Sequence, residues 1–142
     1  MAIQPSKLIK QIFDQTATMM ATVECQTIAD CDKKNYEPIL LGIRAIENYN
    51  EFDGAKVENW LRSRLVDGNR GPITSIRFGR EHSPVLYLTV TGSVRKSNGD
   101  YRKLNAKERR EFAQTIAGEG KSLISADESN VVAPGVVRIW WD

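Results

Sequence analysis

The chain has a single histidine, His82, which stands between Glu81 and Ser83 in the stretch Gly79-Arg80-Glu81-His82-Ser83-Pro84. Acid, imidazole and hydroxyl are the groups of nucleophilic catalysis, where a base activates a neighbouring Ser, Thr or Cys. Sequence neighbours do not form such a triad, because its members are assembled in space from separate segments. His82 therefore reads as a solvated loop residue. Glu47, Glu51, Asp53 and Glu58, with Lys96 or Lys103, offer the groups of a metal-dependent nuclease. Their spacing matches no strand-borne acid, acid and lysine pattern, and acids gathered at a helix start favour the helix dipole without any chemistry. Gly118-Glu119-Gly120-Lys121-Ser122 ends like a phosphate-binding loop, yet that motif requires a glycine where Thr115 stands and a strand ahead of it. A helical pattern precedes it here, so the glycines read as a helix stop.

Two cysteines, Cys25 and Cys31, are too few for a disulfide framework. With one histidine the chain also lacks the usual four Cys/His ligands of a zinc site. Both cysteines are expected to be reduced thiols, and neither a metal nor another cofactor is expected.

Charge is more informative. The net value of +2 conceals a segregation along the chain. Residues 1–59 hold six Lys/Arg and nine Asp/Glu, residues 60–110 twelve and four, and residues 111–142 two and five, so the middle third is at +8 and each flank at −3. Such asymmetry speaks to partners rather than to fold. Its densest part is Val94 to Arg110, where Arg95, Lys96, Arg102, Lys103, Lys107, Arg109 and Arg110 stand against Asp100 and Glu108. A basic β-ribbon can track a phosphate backbone by displacing its counterions, and Tyr101 at the turn offers a ring for base stacking. The candidate nucleic-acid contacts are Arg95, Lys96, Tyr101, Arg102, Lys103, Lys107 and Arg110, joined by Arg70, Arg77 and Arg80 if the neighbouring strands pair. The competing reading is a solvated surface neutralised by Glu108, Glu111 or the acidic flanks.

The elements that must position these residues follow from periodicity. Ser6 caps a helix over 6–16 carrying Leu8, Ile9, Ile12 and Phe13. Residues 18–28 alternate as a strand, and Asp30 to Asn35 read as a connection. Ile39, Leu41, Ile43 and Ala45 alternate with Leu40, Gly42 and Arg44, which favours a strand pairing back on the first; the alternative is a helix with Pro38 in its first turn. Val57, Trp60, Leu61 and Leu65 mark an amphipathic helix opened by Asp53-Gly54. Ile73 to Phe78 form a strand broken at Gly79.

Residues 85–91 are apolar on both faces and predict a central strand. Asn98-Gly99 accepts the two left-handed positions of a tight turn, which closes a hairpin over 85–104. Asn105 with Glu108 forms a capping box for a helix over 105–117, residues 119–130 read as loop, and Val136 to Trp141 form a last strand.

The fold expected is α+β: one domain over 1–142, with an antiparallel sheet of about five strands and two or three helices packed on one side. Trp140 and Trp141 point to opposite faces of the last strand, so one fills the core while the other stands exposed; the pair is the candidate protein interface. No apolar run approaches the roughly 20 residues of a membrane span, and MAIQPSKLIK carries no apolar signal core. A cytoplasmic location is the expectation. The function expected is a non-catalytic binding protein whose basic central segment, hairpin 85–104 and helix 105–117, contacts nucleic acid. The alternatives are a structural subunit of a homo-oligomeric assembly, such as a phage or mobile-element particle, and a nuclease-like enzyme whose site the sequence does not reveal.

Overall fold

Leu86, Leu88 and Val90 alternate along one strand with Tyr87 and Thr89, and the first three are fully buried while the other two are half-buried. That strand is the middle of the sheet. The computed structural model describes residues 26–32, 37–46, 48–49, 51–64, 73–81, 83–90, 93–95 and 101–142. In chain order these form β1 (Gln26–Asp32), α1 (Glu37–Arg44), β2 (Asn48–Tyr49), β3 (Phe52–Asp53), α2 (Gly54–Arg64), β4 (Ile73–Glu81), β5 (Ser83–Val90), β6 (Ser93–Arg95), β7 (Tyr101–Lys103), α3 (Ala106–Ser122), β8 (Glu128–Ala133) and β9 (Val136–Trp140). The main sheet has five antiparallel strands in the order β1-β4-β5-β9-β8, and β2-β3 and β6-β7 form two separate hairpins. The expected α+β architecture and the central place of β5 are both observed.

Cross-strand register builds the inner face. Ile76 lies opposite Leu88 and Leu88 opposite Val137; Phe78 lies opposite Leu86 and Leu86 opposite Ile139. Against this face pack Ile39, Leu40 and Ile43 of α1, Val57, Trp60 and Leu61 of α2, and Ala113, Ile116 and Ala117 of α3, all in one core with the strand residues. Complete burial of a large apolar side chain contributes about 1.5–3 kcal/mol, so this layer of helix on sheet is the main source of stability. Phe52 of β3 fits between layers: its ring stacks on Phe78 at 5.8 Å and meets Trp141 edge-on at 4.8 Å.

Several expectations are corrected. The segment around Ile39 is a helix, not a strand: Ile39, Leu40 and Ile43 are buried while Leu41 is 51% exposed, which is the 3.6-residue period with Pro38 near the start. The alternation that suggested a strand arose because a short helix with two adjacent isoleucine and leucine positions satisfies both periods. Strand β1 runs through Cys31 and Asp32, which the polar composition assigned to a connection; pairing of Asp30 with Arg77 and Cys31 with Ile76 holds them in the sheet. Strand β4 continues through Gly79 to Glu81 because β5 begins two residues later and pairs back on it.

Helix α3 runs past Gly118 and Gly120 to Ser122, and β8 occupies part of the expected loop. Gly120 is inside the helix because the helix presses on β8 there: a Cβ would lie 2.2 Å from Ser129 Oγ. The hairpin expected over 85–104 is split, since β5 pairs with β4 and β9 whereas β6 pairs with β7 alone. The helix expected over 6–16, most of the strand over 18–28, His82 and the Asn98-Gly99 turn lie outside the described residues.

Candidate nucleic-acid interface

The ribbon β6-β7 and the first half of α3 carry the candidate residues. Antiparallel register sets Ser93 opposite Lys103, Val94 opposite Arg102 and Arg95 opposite Tyr101. Residues 96–100 between the two strands, with the predicted Asn98-Gly99 turn, lie outside the described residues, and Leu104 and Asn105 join β7 to α3. The entry is fixed by a capping box: the Asn105 side-chain oxygen accepts the Glu108 N–H at 2.8 Å, and a Glu108 carboxylate oxygen accepts the Asn105 N–H at 3.3 Å. Two of the orphan amides of the helix start are satisfied in this way. The direction of the helix relative to the ribbon follows from it.

The cations differ in how far the fold commits them. Arg102 donates to Glu108 at 2.8 Å, and that guanidinium, followed by the Asn105 amide, holds the Glu108 carboxyl below its ordinary range. Lys107 lies 4.0 Å from Glu111 one turn on, with both side chains well exposed, a geometry whose attraction is weak in water. Lys103 and Arg110 are exposed and enter no ion pair among the described residues. Arg95 and Tyr101 are placed by backbone in β6 and β7, and Lys96 lies outside the described residues. Lys103, Lys107 and Arg110 are therefore the cations this surface offers most openly.

Arg109 belongs to the fold instead. Its Nε donates to the Val90 carbonyl at 2.9 Å, and its guanidinium lies 2.5 Å from where a Cβ on Gly135 would sit. Gly135 has φ of 71° and its carbonyl accepts the Val90 N–H at 2.7 Å. One arginine thus ties α3 to the end of β5 and to the β8-β9 turn, in a space that only glycine leaves open. Of the further basic candidates, Arg77 lies in β4 with its guanidinium 5.8 Å from the Tyr87 ring centre, and Arg80 is at the far end of the same strand. The ladder places both in the sheet, apart from the β6-β7 ribbon. Arg70 is outside the described residues.

The two tryptophans separate as alternation requires. Trp141 is fully buried, donates its indole N–H to the Ile124 carbonyl at 2.8 Å and carries its backbone N–H to Pro84. As a surface candidate it is corrected: the single chain encloses it. Trp140 is half-buried, with Arg138 5.9 Å from its ring centre.

Carboxylates do not converge on a reaction centre among the described residues, and no group of three or more Asp, Glu, His or Cys with metal-holding geometry occurs there. Asp53 accepts the Lys56 N–H at the start of α2. Glu58 is 2% exposed and accepts from Arg62 at 2.9 Å and Arg44 at 3.4 Å; Arg62 also holds Glu37 on α1. Glu58 is the packing partner of two helices, and the composition around Glu47 and Glu51 carried no sign of it. A depression of about 300 Å³ between β7 and α3 is lined by Arg102, Glu108, Glu111, Phe112 and Thr115. No described helix is long and apolar enough to cross a membrane. Comparison with protein-family models, curated proteins and solved structures returns no match.

Proposed function

We propose that the chain is a non-catalytic binding protein that contacts the phosphate backbone of nucleic acid through the β6-β7 ribbon and the first half of α3. The observation that carries the reading is the exposure of Lys103 and Arg110, which have no ion-pair partner among the described residues, together with the loosely held Lys107. Exposed cations left unneutralised are available to displace counterions from a polyanion, and each phosphate so neutralised steepens the salt dependence of binding. Arg102 is a reserve: its partner Glu108 is on the surface, and a phosphate competes for the same guanidinium. Backbone contact of this kind orients a nucleic acid without reading its sequence.

Fluorescence anisotropy with labelled duplex and single-stranded oligonucleotides across a salt series tests the proposal. Affinity is expected to fall steeply with salt, and the double substitution Lys103→Ala with Arg110→Ala to reduce the slope of log K against log salt by about 2. Salt-independent binding, or none at low salt, overturns it.

A further inference from the structure

Helix α3 and strand β8 touch in one place and part in another. At Gly120 a Cβ would lie 2.2 Å from Ser129 Oγ, and Ser129 donates to the Ala117 carbonyl at 2.5 Å, so nothing fits between helix and strand there. Nearer its start α3 presents the small side chains of Ala106 and Ala113, and a groove of about 480 Å³ opens between them and Val131, Val132 and Pro134. That volume lies in the range of small-molecule sites. Val131 is 39% exposed and Val132 is 52% exposed, so the groove leaves apolar surface in water that a ligand would cover.

One charged group is built into this wall. Arg109 lines the groove, with its guanidinium against Gly135. Its Nε donates to the Val90 carbonyl at 2.9 Å, which anchors the side chain, while its two Nη groups enter no hydrogen bond or ion pair among the described residues. The Nη donors form a planar fork that matches the two oxygens of a carboxylate. Arg109 is half-buried, so the attraction is less weakened by water than at a fully exposed arginine. None of the described residues lining the groove is acidic, so no lining carboxylate competes for the fork. Arg110 lines the same groove but is exposed and belongs to the proposed nucleic-acid contact. The fixed charge of the groove is that of Arg109.

We propose that the groove between α3 and β8 binds a small monocarboxylate with an apolar body. The carboxylate meets the Arg109 Nη fork, and the hydrocarbon covers Ala113 and the valines of β8. Contact between Gly120 and Ser129 blocks the groove on one side, which favours a compact molecule over a chain running through. Neither Lys103 nor Lys107 lines the groove, so carboxylate binding and nucleic-acid binding succeed or fail separately.

Titration of the 15N-labelled full chain with sodium octanoate, followed by NMR, tests the proposal, with octanamide as the neutral probe of the same shape. Octanoate is expected to shift the amide signals of Ala113, Val131, Val132 and Gly135 saturably, and octanamide to bind about tenfold more weakly. Arg109→Gln is expected to abolish the preference for octanoate over octanamide. Because Arg109 also ties α3 to β5, the exposed Val132→Glu is the second variant: its carboxylate repels octanoate and is expected to weaken it more than octanamide. Circular dichroism melts identify folded chains. Lys103→Ala with Lys107→Ala is expected to leave octanoate binding unchanged. Absence of saturable shifts at the groove overturns the proposal, as does equal binding of the two probes by the wild-type chain, or a preference for octanoate that survives in folded Arg109→Gln or is undiminished in Val132→Glu.

Discussion

Arg64, at the end of α2, grips both carboxylate oxygens of Glu119 in α3, at 2.6 Å from Nε and 2.8 Å from Nη2. The two residues are 55 apart in sequence, and the Trp60 indole N–H reaches the same carboxylate at 3.2 Å. A bidentate pair with a third donor fixes how two helices lie against each other.

The pair makes stability depend on pH. Hydrogen bonding from Arg64 holds the Glu119 carboxyl below its ordinary value of 4.5, opposed by partial burial and helped by Trp60. The folded chain thus keeps this carboxylate ionised where the unfolded chain already binds a proton. The stabilisation is complete above the unfolded value and is lost as pH falls through the lowered one. Glu119→Gln is expected to cost about 1–3 kcal/mol at neutral pH, and the cost is expected to shrink as pH drops below 4.5. Urea denaturation of both chains across that range checks it, and a difference that does not change with pH counts against the assignment.

Gly118 and Gly120 give opposite outcomes on substitution by alanine. A Cβ on Gly118 meets nothing within 4 Å, whereas one on Gly120 lies 2.2 Å from Ser129 Oγ and 3.2 Å from Ile139 Cδ1. Ser129 is itself held, donating to the Ala117 carbonyl at 2.5 Å. Gly118→Ala is expected to stabilise the chain by about 0.5–1 kcal/mol through helix propensity. Gly120→Ala is expected to destabilise it by about 1–3 kcal/mol as the helix is pushed off the strand. Chemical denaturation midpoints read both, and equal shifts would contradict the close approach.

Trp141 anchors the C-terminal end in the core. Trp141→Phe leaves the Ile124 carbonyl without its indole donor, expected to cost about 1–3 kcal/mol, with a further loss from the space the smaller ring vacates. Trp140→Phe, on the half-buried opposite face, is expected to cost less. Thermal melts of the two variants side by side make the comparison, and a larger effect at Trp140 would reverse the reading.

Glu108 connects the fold to the proposed nucleic-acid contact. Glu108→Gln keeps an oxygen for the Asn105 N–H yet removes the charge that holds Arg102. Nucleic-acid affinity at low salt is expected to rise severalfold and the salt slope to steepen by about 1, with the helix cap preserved in circular dichroism. Weaker binding by a folded Glu108→Gln chain would show that Arg102 acts with its carboxylate partner, not in place of it.

The order of difficulty in reading this chain follows the range of the interactions. Signals within about four residues were legible: the Asn105-Glu108 box, the Asp53 cap of α2, the strand at 85–90 and the division of Trp140 from Trp141. So was the class, because alternating and helical patterns together require a sheet with helices on its apolar face. The candidate basic residues were found by composition alone, and composition does not separate Lys103 and Arg110, which have no ion-pair partner among the described residues, from Arg109, which ties three elements together. The glycines of α3 failed as stop signals, and the reason for Gly120 lies across the core in its close approach to Ser129, not in its own neighbours.

Sequence by itself determined the local geometry and the charge available: caps, periodicities, and a basic middle third. Only the tertiary structure decided which carboxylates are structural, where Glu58 and Glu119 each hold arginines, and which strand is left at an edge. The physical reason is that backbone propensities and capping bonds are settled within a turn or a strand. Ion-pair partners, close approaches and sheet edges depend on which distant segments meet, and that is fixed by burying the apolar faces together.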